Sequence, residues 1–145
     1  MKILINFATK ILNFEPELKV MKILSVHRNI KTMKRELSFW KYEKEGVLND
    51  EQVYVKLSEG EDVKGVEELP IEDAIKSIKA GFADWDCHEN VLQKNDKTIE
   101  IFTTKQFVRF DCTSLGDLDY NRIIDIMNSY GCPLYDAAIS TRYEA

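Results

Sequence analysis

Six consecutive residues, Asp84-Trp85-Asp86-Cys87-His88-Glu89, gather the densest set of chemically capable side chains in this sequence. In an extended segment, side chains two apart share a side, so Asp84, Asp86 and His88 would face the same way. Two carboxylates and an imidazole form a donor set suited to a divalent metal ion. The competing account is architectural: an alternating strand turns Trp85 and Cys87 toward a core and leaves the acids and His88 in water. The metal pattern is incomplete, because the only other histidine is His27 and neither HxxxH nor CxxC spacing occurs.

Cysteine chemistry has no better footing. Cys87 and His88 are neighbours, and neighbours on a strand point to opposite faces, so they cannot pair as nucleophile and base there. Cys112 and Cys132 complete an odd set of three without motif spacing, which argues against a disulfide framework and for small apolar core residues. Phosphate-binding glycine loops, dinucleotide fingerprints and nucleophile elbows are all missing from the sequence, so no cofactor is expected. Asp117, Asp119 and Asp125 are expected to cap and solvate a helix.

Charge layout is the second source of functional information. The net charge of −5 over 145 residues divides unevenly: residues 1–46 carry ten Lys or Arg against five acids, and residues 47–145 carry ten against twenty. Arg28, Lys31, Lys34, Arg35 and Lys41 would form a basic stripe on a helix, opposite Ile30, Met33, Leu37 and Trp40 and with His27 at its edge. Such a stripe can meet nucleic-acid phosphates, although no aromatic residues alternate with the charges and the acidic remainder repels the same backbone. Phe39, Trp40 and Tyr42 lie together on that helix, where they pack on the sheet or offer a surface to a second copy of the chain.

The elements that must position these groups follow from periodicity. Residues 1–14 show an amphipathic helical stripe, and a second helix is expected from Pro16 to about Lys44, stopped by Gly46. A strand across Leu18 to Val26 is the alternative there. Val53, Val55 and Leu57 alternate with polar residues, which predicts a strand over Glu51 to Leu57. An acidic, glycine-punctuated loop follows, and Pro70 opens a helix carrying Ile71, Ile75, Ile78 and Phe82.

Residues 91–112 predict a three-stranded meander, turning at Asn95-Asp96 so that Leu92 meets Ile99. A second turn at Thr104-Lys105, or a loop from Thr103 to Gln106, would set Ile101 opposite Val108, Ile99 opposite Phe110, Phe102 opposite Phe107 and Glu100 opposite Arg109. Asp117 or Asp119 then caps a helix with Leu118, Ile123, Ile126, Met127 and Tyr130 along its apolar side, ended by Gly131 and Pro133. Leu134 and Tyr135 predict a short strand.

The fold class expected is therefore α+β: an antiparallel sheet packed by helices, in a single domain whose residues 1–46 are helical and basic and whose residues 47–145 form an acidic body. No apolar run reaches the roughly 18 residues of a membrane span. The opening MKILINFATKIL lacks a signal-peptide cleavage pattern, so a cytoplasmic protein is expected. The ending, RIIDIMNSYG followed by CPLYD, resembles the tails of small bacterial immunity-type proteins that neutralise toxins, over about a tenth of the chain. With no catalytic motif, the leading expectation is a noncatalytic module that binds another, basic protein. Nucleic-acid binding through residues 27–41 and metal-dependent catalysis at Asp84, Asp86 and His88 are the alternatives.

Overall fold

The structure is a computed structural model and describes residues 33–144. Seven strands form one antiparallel sheet: β1 (Lys34–Phe39), β2 (Asp86–His88), β3 (Val91–Lys94), β4 (Lys97–Thr104), β5 (Phe107–Thr113), β6 (Leu134–Asp136) and β7 (Thr141–Arg142). Their spatial order is β2-β3-β4-β5-β1-β6-β7. Three helices complete the described residues: α1 (Asp50–Ser58), α2 (Ile71–Gly81) and α3 (Asp117–Asn128). The architecture is α+β, as the sequence predicts for the sheet and its helical cover.

One face of the sheet carries Leu37, Ile99, Ile101, Val108 and Phe110 beneath Ile78 of α2 and Ile123 and Met127 of α3. The other carries a smaller aromatic cluster in which Trp40, Phe107 and Tyr135 pack against Val53 and Leu57 of α1. Helices α2 and α3 cross closely at Gly81, where a Cβ would lie 2.7 Å from Ile126 Cδ1. Only glycine fits that contact without a shift.

Three expectations are overturned. Residues 34–39, placed by the sequence on the long helix ending near Lys44, form a central strand instead. Leu37, Phe39 and Trp40 are all buried, because the sheet is covered on both faces where they lie, and a strand buried on both sides shows an apolar run that imitates helical spacing. The residues of that helix before 33, the helix over residues 1–14 and the alternative strand over Leu18 to Val26 lie outside the described residues.

The expected strand over Glu51 to Leu57 is helix α1. Asn49 caps it by accepting the Gln52 N–H at 2.9 Å, and Asp50 and Glu51 complement the dipole in its first turn. Val53 and Leu57, four apart, face the aromatic cluster while Val55 is 46% exposed, so the apolar spacing suits a helix as well as a strand and the cap decides.

The hairpin turns at Lys105-Gln106, not Thr104-Lys105 or Thr103 to Gln106, and every pair moves by two. Ile101 now faces Phe110, Ile99 faces Cys112, Phe102 faces Arg109 and Glu100 faces Asp111. An even shift keeps each side chain on its expected face, so the core survives the correction while the charge pairing does not. The Leu92–Ile99 pairing across the Asn95-Asp96 turn stands as expected.

Two details of α3 also differ: Gly116 is its N-cap with Asp119 accepting the Gly116 N–H at 3.1 Å, and Leu118 is 78% exposed. Likewise Pro70 sits at the cap of α2, one residue before the expected first turn.

Candidate functional site

Alternation along β1 sends Arg35 to the helix-covered face and Lys34 and Glu36 to the other. Strand β6 pairs with β1 only at Ser38 and Phe39, then leads through Ala137 and Ala138 toward β7. Among the described residues, Lys34 to Leu37 therefore have β5 as their partner on one side and no strand on the other. A cavity of about 850 Å³ opens at this edge. Lys34, Arg35 and Glu36 all line it, so it wraps the strand edge, and it extends across the second face to Asp111 and Glu100.

Three carboxylates stand side by side in this cavity. Asp111 is opposite Glu36 on one neighbouring strand and opposite Glu100 on the other. Like charges directly across strands are destabilising. Arg109 offsets part of the repulsion, with Nε 3.0 Å and Nη2 3.2 Å from the Asp111 carboxylate and its guanidinium 4.8 Å from the Phe102 ring centroid. The Tyr54 hydroxyl donates to Glu36, and burial together with that bond pushes the phenol up to about 12. Glu100 is exposed and forms no ion pair with the described residues.

Behind the strand edge lies a buried ion pair. Arg35 Nη2 meets Asp136 Oδ2 at 2.5 Å, with the two side chains 5% and 2% exposed. Asp136 Oδ1 also accepts the Ala138 N–H at 3.0 Å. Arg35 Nε is buried without a hydrogen-bond partner.

Cys112 also lines the cavity, which raises the question of a thiol nucleophile. Burial, then the nearby Asp111 and Asp119 charges, push its thiol well above the usual value, and it points at the Phe110 carbonyl at 3.7 Å. A thiol that resists ionisation, with no imidazole beside it among the described residues, is a poor nucleophile. Cys132 is buried too, its thiol raised to about 11 chiefly by burial.

The Asp84, Asp86, His88 set is not gathered into a site. Asp86 and His88 lie on the exposed edge strand β2, and Asp84 precedes it, bound 2.6 Å from Lys94 Nζ, which holds its carboxyl below the usual range. Among the described residues no three His, Cys, Asp or Glu side chains are placed to share a metal ion. Trp85 is buried as the architectural account expects, whereas Cys87 is exposed.

The basic stripe is likewise dispersed. Lys34 and Arg35 occupy opposite faces of a strand, Arg35 is spent on Asp136, and Lys41 Nζ lies 3.9 Å from Glu67. Arg28 and Lys31 lie outside the described residues.

A second feature was invisible in the sequence. Residues 59–70 have no helix or extended strand, yet a buried side chain ties down their middle. Gln106 Nε2 donates to the Val63 and Val66 carbonyls, each at 2.9 Å, and its Oε1 accepts the Val63 N–H at 2.8 Å. Backbone bonds from Leu69 N to Lys105 O at 2.8 Å and from Glu67 N to Lys41 O at 2.7 Å fasten the rest. This span and the start of α2 hold Glu59, Glu61, Asp62, Glu68, Glu72 and Asp73 exposed, and Lys105 lies 3.3 Å from Asp62 and 3.7 Å from Glu68. The sequence shows the acidity but not the restraint, because a lone glutamine at a turn carries no signature.

No protein-family model matches this chain, and no curated protein or solved structure matches it significantly. No helix among the described residues is long and apolar enough to cross a membrane. The segment RIIDIMNSYG occupies the end of α3 and the turn after it, and CPLYD leads into β6.

Proposed function

We propose that this chain is a noncatalytic binding protein that holds a basic partner protein against the acidic surface formed by residues 59–73. The observation that carries this reading is the fastening of that loop by Gln106, in a span whose six exposed acids outnumber its Lys64 and the adjoining Lys105. A loop ordered before binding avoids much of the side-chain and backbone entropy cost that weakens flexible interfaces. The excess of twenty acids over ten basic residues in 47–145 supplies a field of one sign, which speeds encounter with a cationic protein. A nuclease, whose own substrate surface must be basic, has the complementary chemistry, and the immunity-type resemblance of residues 122–136 points the same way.

The test is affinity capture from cells of the source, followed by mass spectrometry, with the native chain and a Glu61→Lys, Asp62→Lys double variant. One basic protein should be retained in stoichiometric amount by the native chain, released as salt rises, and lost with the double variant. Absence of a stoichiometric partner, or equal retention by both chains, overturns the proposal.

A further inference from the structure

A turn at Thr104-Lys105 would set Glu100 opposite Arg109, whereas the observed hairpin places Glu100 opposite Asp111. The sheet thus gives Arg109 to Asp111 in place of Glu100 and sets Glu36, Asp111 and Glu100 in a row. Sites where local pairing contradicts the fold's own interest are where function is usually found. This row opens into the 850 Å³ cavity at the β1 edge, a volume within the range of ligand-binding sites. The same cavity is lined by Arg35, whose side chain is 5% exposed and whose Nε has no partner.

We infer that the cavity receives a Lys or Arg side chain from an extended segment that lies along the β1 edge from Lys34 to Leu37. An added strand hydrogen-bonds to a sheet edge through its main chain, and its alternate side chains fall on one face. On the second face those side chains start about 4.8 Å from β1, within reach of Glu36 and then of Asp111. The charged lining is Lys34 and Arg35 against Glu36, Glu100, Asp111 and Asp136, and with Arg109 bound to Asp111 one negative charge remains in excess, which favours a cationic segment over an acidic one. This rests on the reading of a basic protein partner and assigns a second contact to it, separate from the loop of residues 59–73.

The probe is a hexapeptide of alternating valine and lysine, blocked at both ends and fluorescently labelled, titrated into the full chain and followed by anisotropy. A valine-glutamine hexapeptide is the control and should bind about tenfold more weakly, the effect of a few partly screened charge contacts. Glu36→Gln with Glu100→Gln should weaken the lysine peptide about fivefold, and the glutamine at 36 keeps an acceptor for Tyr54. Methylating the backbone nitrogens on one edge of the peptide should abolish binding, because strand addition needs those donors. The Glu61→Lys, Asp62→Lys variant should bind the peptide within about twofold of the native chain, since exposed charges beyond a Debye length are screened.

Equal binding of the two peptides, or full binding by the carboxamide variant, overturns the inference. So does loss of peptide binding in the loop variant alone, which would transfer the effect to residues 59–73. Dimerisation of the chain by itself, reversed by the same carboxamide substitutions, would assign the edge to a second copy and also overturn it. If the peptide fails while the captured partner still depends on Glu61 and Asp62, only the cavity assignment falls.

Discussion

On one face of the sheet Leu37, Ile101, Val108 and Phe110 lie under two helices, whereas on the other the aromatic cover of Trp40, Phe107 and Tyr135 stops short of the row formed by Glu36, Asp111 and Glu100. The strands are the same and the side-chain alternation is the same, so the difference lies in what each face is packed against. The covered face spends its residues on burial, each large apolar side chain contributing about 1.5–3 kcal/mol. The second face does so at one end only, and its other end keeps groups that repel one another beside a strand edge that no described strand pairs. Apolar burial and like-charge crowding are thus separated across the thickness of one sheet.

The sharpest way to test that division is to damage the covered face. Phe110 is fully buried and meets Phe39 edge to face with ring centroids 5.7 Å apart. Phe110→Ala should lower unfolding free energy by about 3–5 kcal/mol in urea titration, through lost burial and the cavity left behind. A cost under about 1 kcal/mol would mean this face is not the core.

The Arg35–Asp136 pair joins β1 to β6 behind the cavity. Asp136→Asn keeps the shape but leaves the buried guanidinium without its counterion, which should cost about 3 kcal/mol. The same denaturant titration checks it. A neutral result would show that the guanidinium finds water, and would move Arg35 from the covered side of the comparison to the open side.

Gln106→Ala should cost about 2 kcal/mol, because the Val63 N–H and two carbonyls lose their partners although exposed parts of the loop regain water. Hydrogen exchange should accelerate over residues 61–69 while β4 and β5 stay protected. Uniform acceleration through the sheet would show that the loop is part of the core and not a fastened surface.

Much of the covered face was legible in the sequence. Leu92, Ile99, Ile101 and Phe110 alternate cleanly, Asn95-Asp96 marks a turn, and Ile71, Ile75 and Ile78 repeat with helical spacing. The open face was not. Registers that differ by two leave every apolar residue on its proper face, so hydrophobic pattern cannot separate the Glu100–Arg109 pairing from the observed one that forms the carboxylate row. Strand β1 was missed because Met33, Leu37 and Trp40 keep helical spacing in a strand buried from both sides. Helix α1 was missed because Val53, Val55 and Leu57 alternate while only the first and last are buried. The Arg35–Asp136 pair spans 101 residues of sequence, a separation at which no local pattern speaks.

The smallest expected effect is the most discriminating. Glu100 is exposed on β4 and stands opposite Asp111, so removing its charge relieves a cross-strand repulsion without emptying any packed volume. Glu100→Gln should therefore stabilise the chain by about 0.2–1 kcal/mol, and the gain should shrink as salt is raised from low ionic strength. Stabilising substitutions of this size are common, so the gain alone decides little, and it is the gain together with weaker binding of the lysine hexapeptide that places Glu100 on the open side of the comparison. A loss of stability would instead reveal a favourable partner for Glu100, and the row would then belong with the covered face as a structural element.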